Sequence, residues 1–416
     1  MGNFINLTMD FTKDFFNLVL DFGDEWGITK VEADHKKLHV YLYLDYLSDY
    51  YEDPDTLEKA ILYDHTEVRE WRHLDILQYQ TYIRCKIPRV KCNDGKTKQI
   101  ALGWTGKHDR HTYHFEIRVI DLLQITKNQT KTAEFMNCSF RLVNRIMHRS
   151  TERGMQRRDI SKVPFEHISI DEKSFKKGHN YITVISHPRS GAVLDVGEGR
   201  DTESVNQLIS STFTKEQRES INTVSMDMWK AFINSVKTNC PNAEIVHDKF
   251  HLIAYLNKSI DQVRRREVKF NDALINSRYA ILKNEENLTE KQKEKFELIK
   301  SANFEVSKAW HIRENFKELF ELYNEEKEAR CLLVDWAHDS FMQGISEVNK
   351  VVMMFLSHAK GVINALISNL NNAMAERLNG KIQEVKLVGR GYRIFDNFRS
   401  AILFFHGGLD LYPQKW

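Results

Sequence analysis

Six prolines in 416 residues, five cysteines and no low-complexity tract leave little in this chain to mark a boundary or staple a loop. The cysteines (85, 92, 138, 240 and 331) are odd in number and form no CxxC pair. That argues against a disulfide framework and fits free thiols in a reducing compartment. Long hydrophobic runs are missing too. Phe15 to Leu20 and Val351 to Leu356 are among the longest, far short of the roughly 20 apolar residues a bilayer span needs. Asp10, Lys13 and Asp14 interrupt the opening and no basic n-region precedes it, so a cleaved signal is not expected. A cytoplasmic chain without a membrane partner is the expectation. A one-signed charge is also lacking, since the net is only +2. Residues 1–55 nevertheless hold 4 Lys/Arg against 12 Asp/Glu, so the basic excess lies wholly in the remainder. An acidic leading segment before a basic body suits a polyanion partner, although two ordinary surfaces could differ as much.

With 42% hydrophobic and 28% charged residues, the chain can bury several cores behind a charged surface. Residues 1–118 read as a β-rich region. Lys37 to Leu44 alternates, Gln78 to Ile87 alternates, and Pro88 and Asn93-Asp94-Gly95 punctuate. From Lys131 to Arg149 the period turns helical, and residues 119–160 read as a helix-turn-helix. Ala133 is small where two helices cross, Asn137 tolerates left-handed geometry at the turn, and Ser139 can cap the second helix. Val143 and Ile146 would pin that helix, while Arg141, Arg145 and Arg149 share its polar face. Six arginines and one glutamate over 141–158 favour DNA contact over a merely solvated helix.

Residues 161–260 follow the order of an RNase-H-like sheet, three hairpin-linked strands and then alternating helix and strand. A strand from His167 ends in Asp171, and Asn180 to Ile185 and Gly191 to Val196 complete a meander. After a helix, a strand over Asn222 to Met226 ends in Asp227; a further helix leads to a strand over Ala243 to Val246. Residues 261–345, charged and almost free of Gly and Pro, read as an all-helical insertion. Residues 346–416 return to the core with a long helix, about Gly361 to Val385, that carries Asn372, Glu376 and Asn379 on one face. The overall expectation is an α/β fold: an RNase-H-like catalytic domain with a helical insertion, preceded by the helix-turn-helix and the β-rich region.

The acids in that frame suggest chemistry. Phosphodiester cleavage needs an activated attacking oxygen and a stabilised leaving oxygen, which two divalent cations roughly 4 Å apart can supply. Magnesium or manganese asks for a few convergent carboxylates. Asp171 and Asp227 end apolar strands, and Glu376 sits among Ala373 and Ala375, small enough for close approach to a sheet. Each alone could be a surface cap; the conjunction points to one site. The interval from Asp227 to Glu376 exceeds what a simple RNase-H fold requires by about the length of the helical stretch.

Several strings resemble insertion-sequence transposases of the ISL-three family. They are Ile170-Asp171-Glu172-Lys173-Ser174-Phe175, Ser225-Met226-Asp227-Met228-Trp229, His247-Asp248-Lys249-Phe250-His251-Leu252, Lys308-Ala309-Trp310, the run Ser368 to Asn379, and Gly389 to Arg393. Upstream, Tyr63-Asp64-His65, Trp71 to Asp75 and Pro88 to Cys92 match as well. The resemblance runs from about residue 60 to the end. It implies a DDE triad on Asp171, Asp227 and Glu376, cleavage and strand transfer at terminal inverted repeats, and double-stranded DNA as partner. A homodimer on DNA in a bacterial nucleoid is the matching expectation. The family's zinc ribbon has cysteine pairs before Tyr63 and after Val90, of which only Cys92 is present here. One cysteine cannot close a tetrahedral site, so no structural zinc is expected. Two other readings stand beside this one. His247 and His251 imitate an HExxH metallohydrolase signature, which needs both histidines on one helix. Loss of the cysteines would also suit a domesticated DNA-binding protein without catalysis. Trp310, in the insertion, is either core or a base-stacking contact. Arg390 and Arg393 are further candidates for phosphate contact.

Overall fold

A computed structural model describes residues 4–20, 22–158, 166–176, 180–283, 287–302, 304–322, 325–368 and 373–413; the side chains of 4–11 and 373–376 are not described. The chain divides into two compact units, residues 1–155 with 410–416, and residues 156–409. It is a mixed α/β protein, β-rich at the N-terminal end and helical towards the C-terminal end.

In the first unit, α1 (Phe4–Leu20) leads into β1 (Trp26–Asp34), β2 (His39–Tyr46), β3 (Tyr51–Glu52), β4 (Lys59–His65), β5 (Arg69–Arg72), β6 (Gln80–Cys85), β7 (Pro88–Lys91) and β8 (Thr97–Gln99). The strands form two four-stranded sheets, ordered β1-β2-β6-β5 and β3-β4-β7-β8. Alternation in β2 places Val40, Leu42 and Leu44 in a core with Trp26, Trp71, Ile83 and the fully buried Trp104. Three helices follow: α2 (Tyr113–Thr126), α3 (Gln129–Phe135) and α4 (Phe140–Arg157). The first starts earlier than the pattern suggests, because the Thr112 hydroxyl accepts from the Phe115 amide and caps it. Between α3 and α4 the chain turns as expected. Asn137 has φ +48°, Ala133 is buried, and the Ser139 hydroxyl accepts from the Leu142 amide at 3.2 Å.

The second unit begins with β9 (His167–Lys176), β10 (Asn180–Ser186) and β11 (Val193–Glu198), an antiparallel meander. Then come α5 (Thr202–Thr212), α6 (Lys215–Ser220), β12 (Thr223–Met226), α7 (Lys230–Asn239), β13 (Glu244–His247) and α8 (Lys249–Glu267). The sheet order is β11-β10-β9-β12-β13, with β12 parallel to both β9 and β13. Ile168, Ile170, Val224 and Met226 from its centre pack on Val205, Ile209, Phe232 and Val236 of α5 and α7.

Leu252, Leu256, Ile260 and Val263 of α8 join residues beyond it in a second apolar core. Its further helices are α9 (Arg278–Leu282), α10 (Glu290–Ser301), α11 (Glu305–Glu318), α12 (Glu326–Met342), α13 (Ser346–Ser357) and α14 (Ala359–Ile367). Among the described residues no single helix is long and apolar enough to cross a membrane. The bent pair α13 and α14 passes that test only jointly, and it is buried in this core. The long helix expected from Gly361 to Val385 is instead two, α14 and α15 (Ala373–Val388), followed by α16 (Phe395–His406). Ser368 leaves the helical region at ψ 128°. Asn372 lies outside the described residues.

Candidate active site

Asp171 does not end its strand, as expected, but sits within β9, which runs on to Lys176 against β10. What ends there is the pairing on the other side. The parallel register of β9 with β12 closes at Ile170 opposite Met226, so Asp171 and Asp227 are the next residues on adjacent strands. Each carboxylate is fixed by the amide of the residue after it. The Glu172 amide donates to Asp171 Oδ1 at 2.7 Å, and the Met228 amide donates to Asp227 Oδ1 at 2.6 Å. Such short-range bonds set the rotamer, and both side chains stay 19% exposed, within reach of a ligand.

The first turns of α8 complete the cluster. Asp248 caps the helix, its carboxylate accepting from the Phe250 amide at 2.7 Å. His251 then lies between the two aspartates, with Nε2 3.7 Å from Asp171 Oδ1 and Nδ1 3.9 Å from Asp227 Oδ2. These are charge contacts, too long for hydrogen bonds. One turn on, the Tyr255 hydroxyl donates to Asp227 Oδ2 at 3.3 Å. Lys173 Nζ stands 2.9 Å from Asp171 Oδ2. Burial alone would push the Asp171 carboxyl up, but His251 and Lys173 outweigh it and hold it well below the usual carboxylate range. Burial likewise disfavours the charged His251 ring, yet the two aspartates raise its pKa. Burial first, then Asp227, push the Tyr255 phenol up to about 12.

The third expected acid, Glu376, stands on α15, but its side chain lies outside the described residues. His247 and His251 do not share a helix. The former ends β13, buried at 3% exposure with its pKa pushed down to about 4 by burial, and Asp248 separates the two elements. A Cβ on Gly361 would meet the His247 ring at 2.5 Å, so glycine there lets α14 pack against it. A zinc-peptidase geometry, with histidines one helical turn apart, is absent. From sequence His251 reads only as part of a metallohydrolase-like signature, and no motif there singles out Lys173 or Tyr255. The spacing of His251 and Tyr255, four apart on one helix following a strand next to β12, was the available signal.

The expected DNA contacts divide. Arg141 and Arg145 are exposed on α4, but Arg149 pairs with the buried Asp109. Arg390, at φ +52°, and Arg393 are exposed. Trp310 is 8% exposed, edge-on to Phe296 at 5.0 Å, and belongs to the helical core.

The transposase family of the ISL-three group matches residues 168–402, and the zinc finger of transposases IS204, IS1001, IS1096 and IS1165 matches residues 59–95. The chain therefore belongs to the ISL-three family of DDE transposases, enzymes that act on DNA. More particularly, it is 27% identical over 337 residues to the transposase of insertion sequence element IS1001 from Bordetella parapertussis, spanning 79% of this chain and 82% of that one. It is also 27% identical over 370 residues to the IS1557 transposase of Mycobacterium tuberculosis, spanning 80% and 81%. Among solved structures, the Drosophila P element transposase strand transfer complex aligns with 72% of the chain and 92% of its own. The identity is 7% and the TM-score 0.37, too distant to support a fold assignment.

The zinc-finger match corrects the expectation drawn from the missing cysteines: the ribbon domain is present, which conflicts with a protein free of structural zinc. Its donor set departs from the family's. Asp53, Cys92 and Asp94 bring three possible ligand atoms within 4.8 Å of one another. The Lys98 ammonium stands among the acids, 2.9 Å from Asp53, 3.0 Å from Asp55 and 3.6 Å from Asp94.

Proposed function

We propose that this transposase cleaves DNA at the terminal inverted repeats of its own element and transfers the 3′ hydroxyl to target DNA. In this reading the sheet of the second unit is an RNase-H-like core, and Asp171, Asp227 and Glu376 are its metal-binding carboxylates. The observation that carries it is the placement of Asp171 and Asp227 one residue past the paired ends of adjacent parallel strands, both within 4 Å of one imidazole. A donor set of anchored carboxylate oxygens fits hard cations such as Mg²⁺ or Mn²⁺. When bound, such ions would activate the attacking oxygen and offset charge on the leaving one.

The chain's own residues prepare that site. The Glu172 and Met228 amides hold one oxygen of each aspartate and leave the other pointing to neighbours that can give way. Lys173 and His251 offset the negative charge of the two neighbouring carboxylates, and beside them the Asp171 carboxyl is held down. Tyr255 fixes the outer oxygen of Asp227.

DNA ends would be recognised by α3 and α4 as a helix-turn-helix, through Arg141 and Arg145, with Arg390 and Arg393 as phosphate contacts. A homodimer on DNA, in the bacterial cytoplasm, is the assembly we propose. The segments 119–160, 161–260, 261–345 and 346–416 are the corresponding functional divisions. The test is strand cleavage on DNA bearing the inverted repeats that border this coding sequence. Nicking at the repeat boundary with Mg²⁺ and none without it supports the proposal; cutting in chelator refutes it.

A further inference from the structure

Trp229 stands two residues past Asp227 and is 41% exposed, unusual for an indole so close to a charged, partly buried site. It occupies the N-cap position of α7, and no side chain caps that helix. Its Nε1 donates to the Arg200 carbonyl at 3.2 Å. The Arg200 guanidinium lies 4.6 Å from the Trp229 ring and 3.8 Å from the Tyr181 ring. The same guanidinium donates to both oxygens of Glu172, at 2.9 and 2.8 Å. Glu172 follows Asp171 in β9, so the clamp ties the indole to the strand that carries one aspartate while the chain ties it to the other.

Such bracing is more than packing needs. Arg200 is already satisfied by Glu172, and the indole's exposed surface adds no burial to either core. A flat aromatic face held rigidly beside phosphoryl-transfer carboxylates has an evident ligand, a nucleobase, because every base offers a π-face to stack. Lys230, also exposed, follows directly and supplies a cation beside that face for the attached phosphate.

We propose that Trp229 stacks on the base of the nucleotide flanking the scissile phosphate, and that Arg200 is the positioning residue that holds the indole in place. The inference rests on the active-site reading above and adds a contact that sets the strand's register in it.

The test uses the full chain, Ca²⁺ in place of Mg²⁺ to hold uncut DNA, and end duplexes with 5-iododeoxyuridine placed in turn at each position across the cut. Irradiation should crosslink one or two adjacent positions beside the cut to the peptide containing Trp229, as identified by mass spectrometry. In Mg²⁺, Trp229→Ala should lower cleavage by roughly 5- to 150-fold, the range of one base–aromatic stack, and Trp229→Phe should restore most of it. Arg200→Ala should broaden the crosslink over several positions, an effect that loss of fold would not produce. No crosslink to Trp229 at any position overturns the proposal, and because the wild-type chain is used, misfolding of a variant cannot hide that result. If Asp227→Asn abolishes cutting while Trp229 gives no crosslink, the active-site reading stands and only the stacking contact fails. If Asp227→Asn cuts normally, the underlying site is wrong.

Discussion

Asp227→Asn should separate folding, DNA binding and chemistry. The substituted amide keeps an oxygen for the Met228 N–H, now bonded at 2.6 Å to a charged acceptor. Exchanging a charged for a neutral acceptor costs about 1 kcal/mol, a small part of the stability of a chain this size. The other oxygen, which accepts from Tyr255 at 3.3 Å and faces His251 at 3.9 Å, becomes an NH₂ group. The site loses a full negative charge and one hard ligand. Removing a single electrostatic contact of this kind typically costs about 3–4 kcal/mol of barrier, so cleavage should fall by at least about 10²- to 10³-fold. End binding, which we assign to α4 and other basic surfaces, should change less than about threefold, since about 0.65 kcal/mol would be needed for more. Gel shift and product formation on the same preparation, with urea unfolding as a control, measure all three. Cutting at the wild-type rate would refute the role of Asp227 in the metal site. Loss of binding and cutting together, with a lowered unfolding midpoint, would make it structural.

Other outcomes follow from the same geometry. Arg145→Ala should reduce the log–log salt slope of end binding by about one unit, whereas an unchanged slope would make its face of α4 structural. Arg149→Ala should instead destabilise the fold, by on the order of 2 kcal/mol, because the Asp109 carboxylate would stay buried without its partner; equal urea midpoints would contradict this. Burial holds the His73 pKa down to about 3, so the folded state stays neutral while the unfolded chain protonates near 6.5. Stability should therefore fall below about pH 6.5, by about 1.4 kcal/mol per pH unit, until about pH 3. Between pH 7 and 5 wild type should lose about 2 kcal/mol more than His73→Asn, and equal losses would refute the assignment. Lys98→Met should lower the melting temperature at low salt, since Asp53, Asp55 and Asp94 would be left to repel one another; an unchanged melting temperature would show that the cluster is not a brace.

What the sequence made legible tracks how local the cause is. The short runs from Tyr181 to Ile185 and from Val224 to Met226 produce β10 and β12, because a strand buried on both faces is written in neighbouring, mostly apolar residues. The Asn137 turn and the Ser139 cap were readable for the same reason. Asp171 and Asp227 were readable as acids closing apolar stretches, but not the reason they meet, since register between strands is a long-range choice. Lys173 carries no signal of its own, because a charge partner is defined only by the fold, and Tyr255 is marked only by its spacing from His251 on α8. Trp310 shows the limit in the other direction: a tryptophan at helical spacing cannot declare from sequence whether its ring faces core or ligand, and here it faces core. The ribbon is not legible from its cysteines, because its fold does not depend on them. The strands β4 and β7 instead pair through backbone register and the Arg89–Asp64 ion pair.

The proposed mechanism needs three acids far apart in sequence to share one metal site. It is tested most directly by replacing Mg²⁺ with Fe²⁺ in the DNA-bound protein, adding ascorbate and peroxide, and mapping the peptide bonds broken by the radicals released at the metal. Breaks are expected beside residues 171, 227 and 376, all suppressed together by excess Mg²⁺ and lost in Asp227→Asn. Breaks confined to 171 and 227, or breaks that persist in that variant, would contradict it.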